Sequence, residues 1–498
     1  MRKSILSYGT FLLYLACFPC KADSFLLEDI AIRSQGEVNP NKLKSVLKNY
    51  IGKSIDAHLL QQVINEVSTY YQDSGYPGAL AVIPEQNLTS GILNIEVLTP
   101  KLNLVFIKNN PDYLNDSAEK RLFAPLYSGQ DKALNLDTIN SALLKLSDLN
   151  QFNLEASFNT NPINYLDDLN INVKPHKRFE FLAFSDNHGT DASGKYRFGT
   201  MVKVNSVTTN ADNLSLFYAR SSQKQNNYSI TYEIPLNSHP SVLGLNVCLS
   251  DYELGKDYAQ LGARGKAQTY ELYLKEPLYR TDNLKFEWLN GLYYRDLQDE
   301  FKNFNLKFKK HAVAGYSSLN LQTNYANFFT SSFLKGIWGH LYIDDKYGFN
   351  DENSYVIGNV GVNLGYRFND FSSIGLQSKF QVASASLEGS EQFSITGPDG
   401  VDAYEPSLVL GDGGALASLF LDFTPFKNID FSLSPHLDAA TAKYRGFEYQ
   451  NAYGAGIVAD IKFHGLFAKA QFSKTLGKKP FPECDDSQFF FNVGFNFF

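Results

Sequence analysis

From about residue 178 to the C-terminus the chain alternates apolar and polar positions. Tyr228, Ile230, Tyr232 and Ile234 alternate with Ser229, Thr231 and Glu233; Tyr270, Leu272 and Leu274 alternate with Glu271, Tyr273 and Lys275; Leu284, Phe286 and Trp288 alternate with Lys285 and Glu287. Successive side chains of a strand point to opposite faces, so each run has one apolar and one polar face. A barrel wall with lipid outside and water inside needs that pattern, and a water-soluble sandwich also fits it. Polar Asn/Asp/Gly/Ser stretches such as 186–194 and 349–354 separate the runs. At roughly 20 residues per strand and connection this region holds about 16 strands, an even number, as barrel closure expects. In the last run Phe489, Phe491, Val493, Phe495 and Phe497 share one face, opposite Asn492, Gly494 and Asn496, and Phe498 is one extra residue. A final strand of this kind, ending in Phe, is the usual signature of an outer-membrane barrel.

Residues 23–174 have a different texture. A strand is expected over 25–33. Asn39 followed by Pro40 marks a helix start that runs to about Tyr50. Asp56 caps a second helix, with Leu60, Val63, Ile64, Val67 and Tyr71 on one face, ending at Gly75. Strands at 79–83 and 92–98 follow. The same order then recurs. Leu102, Leu104 and Phe106 alternate along a strand, Asp116 caps a helix to about Tyr127, and Asn135 starts another reaching Leu149. Strands at 152–158 and 169–173 close the unit. Each unit, about 75 residues long, suffices to pack a helix pair on a three-stranded sheet.

Composition sharpens this picture. Aromatics make up 14%, with 39 Phe and 30 Tyr, residues that suit barrel girdles. The 45 Lys+Arg against 52 Asp+Glu form no basic patch, so no nucleic-acid partner is expected. Arg2 and Lys3 precede an apolar stretch from Ile5 to Phe18, which reads as a leader cleaved after Ala22; a lipoprotein cut before Cys17 is the alternative, with Tyr14 a poor fit. No other segment approaches the roughly 20 apolar residues of a membrane helix. Cys248 and Cys484 remain as free thiols or one incidental bridge. The eight His residues show no ligand spacing, so neither a metal site nor a cofactor is expected. No phosphate-cradling loop appears, and Ser332 with Lys335 is a chance Ser-x-x-Lys match in a β stretch. No enzyme is read here.

With these features in hand, the chain resembles the two-partner secretion transporters (the TpsB family, typified by FhaC, ShlB and HecB) of the BamA-related superfamily. In the first repeat the resemblance is carried by Tyr50-Ile51-Gly52-Lys53, Tyr71 through Gly75-Tyr76, Pro84 to Leu88, and Gly91-Ile92-Leu93. At the start of the barrel it is carried by Asp186-Asn187-His188-Gly189-Thr190 and by Ser193 to Gly199. It implies a mainly β fold: a C-terminal transmembrane antiparallel barrel at 176–498, preceded by two small α+β POTRA domains at 23–99 and 100–175, after a signal peptide at 1–22. It implies translocation of a large β-rich exoprotein of haemolysin, adhesin or contact-dependent toxin type. The POTRA domains, in the periplasm, capture the client through sheet edges; Ala79, Val82, Phe152 and Leu154 are the candidates. Implied partners are this exoprotein with its β-rich N-terminal secretion domain, outer-membrane lipid, and the barrel-assembly machinery during biogenesis, with the chain a monomer. An outer-membrane assembly factor or insertase of the same superfamily is the alternative.

The resemblance also implies a long loop folded into the lumen, here Gly397-Pro398-Asp399-Gly400-Val401-Asp402-Ala403-Tyr404. In the family its tip reads Val-Arg-Gly-Tyr, and the Arg pairs with an Asp of the barrel wall, matched here by Asp438. The chain departs from that pattern: Asp402 replaces the Arg and Ala403 the Gly. Two carboxylates brought close in the lumen should retain a proton or attract a cation. The loop is therefore expected to be held differently, with Lys443 or Arg445 nearby, or to dock less firmly. With no room for a plug helix ahead of the first strand, it is also expected to be the main occluder.

Overall fold

The structure is a computed structural model that describes residues 24–497 other than 35, 37, 77, 162–165, 345–352 and 427–428. The expected leader, most of the polar stretch 349–354 and the extra Phe498 lie outside the described residues. The chain forms two compact units, Met1–Pro175 and His176–Phe498.

In the first unit the strand expected over 25–33 is split into Phe25–Leu26 and Asp29–Ser34. Leu27 between them is fully buried, and its backbone bonds to Gly52 and Lys53. Asn39 caps helix Pro40–Leu47 by accepting from the Asn41 and Lys42 amides. Asp56 caps Ala57–Asp73 by accepting from the Leu59 amide at 2.8 Å. Val63, Val67 and Tyr71 of that helix are buried, with Leu60 and Ile64 packed beside them. Strand Asp29–Ser34 runs parallel to Ile92–Leu98, which pairs antiparallel with Leu80–Val82. The second repeat has the same topology: Lys101–Lys108 parallel to Leu166–Pro175, itself antiparallel to Phe152–Asn161.

Two expectations for the second repeat are corrected. Leu104 and Phe106 do not share the face of Leu102: they are 45% and 50% exposed, while Leu102 and Val105 are buried. A register shift between Leu102 and Val105 flips the face, as a bulge does. The helix expected over 116–127 is two pieces, Asp116–Leu122 and Ala124–Tyr127, and its cap is Asn115, which accepts from the Ala118 amide at 2.9 Å. Pro125 explains the break, since it has no N–H to continue the helical ladder. Asn135 caps Leu136–Ser147 as expected.

The second unit is a closed antiparallel barrel of sixteen strands, counted here from Phe179–Asp186 as the first to Ser487–Asn496 as the sixteenth. Its alternation is the one read in the sequence. Ile230, Leu245, Leu272, Leu292, Val313, Leu334 and Val356, on seven consecutive strands, are each 48–64% exposed on the outer face. Such a continuous apolar belt is at home only against lipid. In the last strand Phe489, Val493 and Phe495 also point outward, 37–52% exposed. Inside, aromatic rings lie over glycines on neighbouring strands. Gly291 faces Tyr316 so closely that a Cβ there would come within 2.5 Å of the ring.

Pairing is uneven around the barrel. The seventh and eighth strands, Leu284–Phe301 and Leu306–Tyr325, match at eighteen positions. The first and sixteenth match at five, from Asp186↔Asn492 to Leu182↔Asn496. With so few ladder bonds, this closing seam is the weakest line in the wall.

Candidate functional site

Residues 384–412 connect the eleventh strand, Ser372–Ala383, to the twelfth, Gly413–Phe423, and fold inward. Phe393–Ser394 pairs with Leu410–Gly411, and a bridge between Thr396 and Val401 closes the tip. The Gly400 amide donates to the Gly397 carbonyl at 2.9 Å, and Gly397 has φ +105°, a conformation that favours glycine. Val401, Ala403 and Tyr404 are completely buried against Leu416, Ala440, Ala442 and Ala452 of the twelfth to fourteenth strands. The approach is close enough to require a glycine in the wall: a Cβ on Gly454 would lie 2.9 Å from Val401 and 3.0 Å from Ala403. The loop is thus firmly docked, and Ala403 fits because the tip has no space for a larger side chain.

Asp402 points from this tip to the thirteenth strand, Asp430–Lys443. His436 Nε2 donates to Asp402 Oδ1 at 3.0 Å and lies 3.4 Å from Asp438 Oδ2. Gln471 of the fifteenth strand donates to Asp402 Oδ2 at 3.2 Å, and Ser473 Oγ sits 3.3 Å from His436 Nε2. The three ionisable side chains are 4%, 8% and 3% exposed, so they lie almost out of water. Burial alone would push the Asp402 carboxyl up, but the hydrogen bond and charge of His436 outweigh it and hold the group below its ordinary range.

The expected loop motif and Asp438 therefore do meet, through a residue the sequence reading missed. Lys443 and Arg445 do not hold Asp402. Lys443 lies over the Tyr449 ring at 4.6 Å. Arg445 works at the loop mouth, where its amide donates to Asp412 at 2.8 Å and its guanidinium bonds to the Ser384 carbonyl. The signal for His436 was available: it stands two residues before Asp438, and period two puts both on the inner face.

The loop's first turn is anchored elsewhere. Glu388 pairs with Lys310 at 2.9 Å, and Glu391 with Arg295 at 3.0 Å. Tyr293 also donates to Glu391, at 2.5 Å. These partners stand on the seventh and eighth strands, while the tip touches the thirteenth to fifteenth, across a sixteen-strand ring. The loop thereby bridges opposite walls of the lumen. Burial works against the Glu388 carboxylate, but Lys310 and bonds from Ser390 hold its pKa below the ordinary value.

The first hairpin closes the seam. Arg197 forms a two-pronged pair with the buried Asp186, at 2.7 and 3.0 Å. The Asn187 side chain donates to the Phe489 carbonyl and accepts from the Phe491 amide, both at 2.7 Å. Its side-chain amide thus extends the ladder of the last strand beyond Asp186↔Asn492, beside a backbone bond from the Asn187 N–H to the Phe491 carbonyl at 3.3 Å. His188 packs edge-on against Phe490, with ring centres 5.8 Å apart.

The four candidate client contacts lie in the first unit. Ala79, Phe152 and Leu154 are 1%, 0% and 7% exposed, turned into their own cores, and Val82 is half-buried. Ala79 precedes Leu80–Val82, and Phe152 and Leu154 lie in Phe152–Asn161; both strands are sheet edges. The Ala79 main chain is itself engaged, its amide donating to the Tyr76 carbonyl and its carbonyl accepting from Gln72, both at 2.9 Å.

Comparison with known proteins agrees with this architecture. The sequence profile described as "Haemolysin secretion/activation protein ShlB/FhaC/HecB" matches residues 167–463, and that for "POTRA domain, ShlB-type" matches residues 25–99. The heme/hemopexin transporter protein HuxB of Haemophilus influenzae is 25% identical over 462 residues, covering 89% of this chain and 79% of HuxB. The outer membrane transporter CdiB of Dickeya dadantii is 20% identical, covering 80% of this chain and 73% of CdiB. Among solved structures, CdiB from Escherichia coli superposes with a TM-score of 0.81 at 16% identity, covering 96% of this chain and 91% of that one.

Proposed function

The chain belongs to the haemolysin secretion/activation protein family ShlB/FhaC/HecB, and on that premise we propose that it conducts one large, β-rich exoprotein across the outer membrane by two-partner secretion. The observation that carries this reading is the inward loop: a lipid-facing barrel whose lumen is bridged by one docked segment is built to be opened by a client. Residues 100–175 act as a second POTRA domain, since their strand order repeats that of the matched residues 25–99.

Capture begins at sheet edges, where unpaired backbone groups accept an added strand. Leu80–Val82 is short and its Ala81 amide is already bonded to Ser68 Oγ at 2.9 Å, whereas Phe152–Asn161 runs ten residues. The other edge of the first sheet, Asp29–Ser34, borders a cavity of about 970 Å³ against helix Pro40–Leu47, lined by Ile30, Ile32, Val38 and Leu43. A strand added there gains apolar burial as well as hydrogen bonds. The client then passes through the lumen, and its folding outside biases the direction.

Deletion of the gene tests the proposal. The expected result is loss of one large exoprotein from the surface and medium while other barrels assemble normally. Broad loss of outer-membrane barrels would instead establish an assembly factor.

A further inference from the structure

We propose that Asp402, His436 and Asp438 bind one divalent cation of borderline softness, with Zn²⁺ as the test ion, and that this ion staples the inward loop to the barrel wall. The proposal concerns the docked loop itself and does not depend on which client is carried.

Geometry is the first argument. One imidazole nitrogen and two carboxylate oxygens, from two separate elements, lie within 4.8 Å of one another. Three oxygens converge on His436 Nε2: Asp402 Oδ1 at 3.0 Å, Ser473 Oγ at 3.3 Å and Asp438 Oδ2 at 3.4 Å. A single N–H serves one carboxylate oxygen well, not two. Donor atoms grouped around a common point, rather than paired off, are what a metal shell looks like. Zn²⁺ with N and O ligands at about 2.0–2.2 Å has tetrahedral edges of about 3.3–3.6 Å. The His436–Asp438 spacing already lies in that range and the His436–Asp402 spacing is a little short of it, and small side-chain rotations bring all three ligand atoms onto one ion.

Charge is the second argument. Among the described residues, His436 is the only cationic group within ion-pairing distance of Asp402 or Asp438. An imidazolium neutralises one carboxylate, and the other must then hold a proton or gain a cation. A divalent ion with a neutral imidazole and two carboxylates sums to zero. Lys379, Lys469 and Asp399 line the adjoining cavity of about 380 Å³ and face the cluster without pairing to it. That cavity has room for water as a fourth ligand, and Gln471, bonded to Asp402 Oδ2, orients the carboxylate from behind. An imidazole in the set selects against Mg²⁺ and Ca²⁺.

The experiment uses the full-length chain, purified in detergent, stripped with a chelator and titrated with Zn²⁺ by calorimetry, with metal analysis after gel filtration. One equivalent is expected, with affinity falling at least tenfold in His436→Ala and in the shape-conserving Asp402→Asn, and with Mg²⁺ failing to compete. Heat-modifiable gel mobility checks that each variant keeps its barrel. Addition of Zn²⁺ should also slow proteolysis within residues 384–412 of the wild type and not of Asp402→Asn. Zn²⁺ binding by wild type that is no greater than by folded Asp402→Asn would overturn the proposal. Lost secretion with the metal site intact would count only against the transport reading.

Discussion

Gly454 is where the docking of the loop tip is most sensitive to one side chain. Replacing it by Val forces atoms into the space of Val401 and Ala403, already 2.9 and 3.0 Å from the position of its Cβ. Overpacking of this kind costs about 1–3 kcal/mol, so Gly454→Val should release the tip, and limited proteolysis within 384–412 should be faster while the barrel stays folded. His188 gives a second residue-scale expectation. Burial holds its pKa below the ordinary 6.5; Arg197 and Lys469 add to this, and Asp186 and Asp399 oppose it. The unfolded chain therefore binds a proton first as pH falls below 6.5, so stability drops with acidification and levels off below the folded pKa. Thermal unfolding followed from pH 7.5 to about 5 should show this slope, and His188→Gln should flatten it. Of the residues discussed here, Asp402, Asp438 and the glycines of the tip were legible through the family pattern. His436 was legible only as an inward-facing neighbour of Asp438; its role was not, because that depends on an oxygen that arrives from 34 residues away.

Among the elements, the closing seam invites a direct test. Asn187 supplies two hydrogen bonds to a strand edge that has only five matched positions with its neighbour. Asn187→Ala removes both and leaves a half-buried carbonyl and amide without that partner, at a cost of about 1 kcal/mol each. Hydrogen exchange at the Phe491 amide should quicken markedly, while exchange in the seventh and eighth strands stays unchanged. At this scale three of the four expected caps, Asn39, Asp56 and Asn135, stand where read, since a cap is a contact between residues two or three apart, and the fourth is Asn115 in place of Asp116. Strand faces were read well along the barrel and misread at Leu104 and Phe106. A bulge changes the face without changing the composition of the strand.

For the whole molecule, the loop anchored at Glu388 and Glu391 on one wall and at Asp402 on the other should obstruct the lumen. Deleting residues 387–409 should raise single-channel conductance in a planar bilayer several-fold; unchanged conductance would show that something else closes the pore. A sandwich fits the same alternation, so the lipid-facing barrel was read through the family resemblance; the sequence by itself determined the two-part organisation, the repeat and the alternating strand faces. All of these rest on periodicities of two to four residues, or on compositions that any local window displays. Only the tertiary structure decided how the loop is held, which residues clasp the seam and where two carboxylates share one imidazole. The decisive contacts, Asp402 to His436 and Asn187 to Phe491, join positions 34 and 304 residues apart, and they arise when the ring closes and the loop turns inward, which no local pattern encodes.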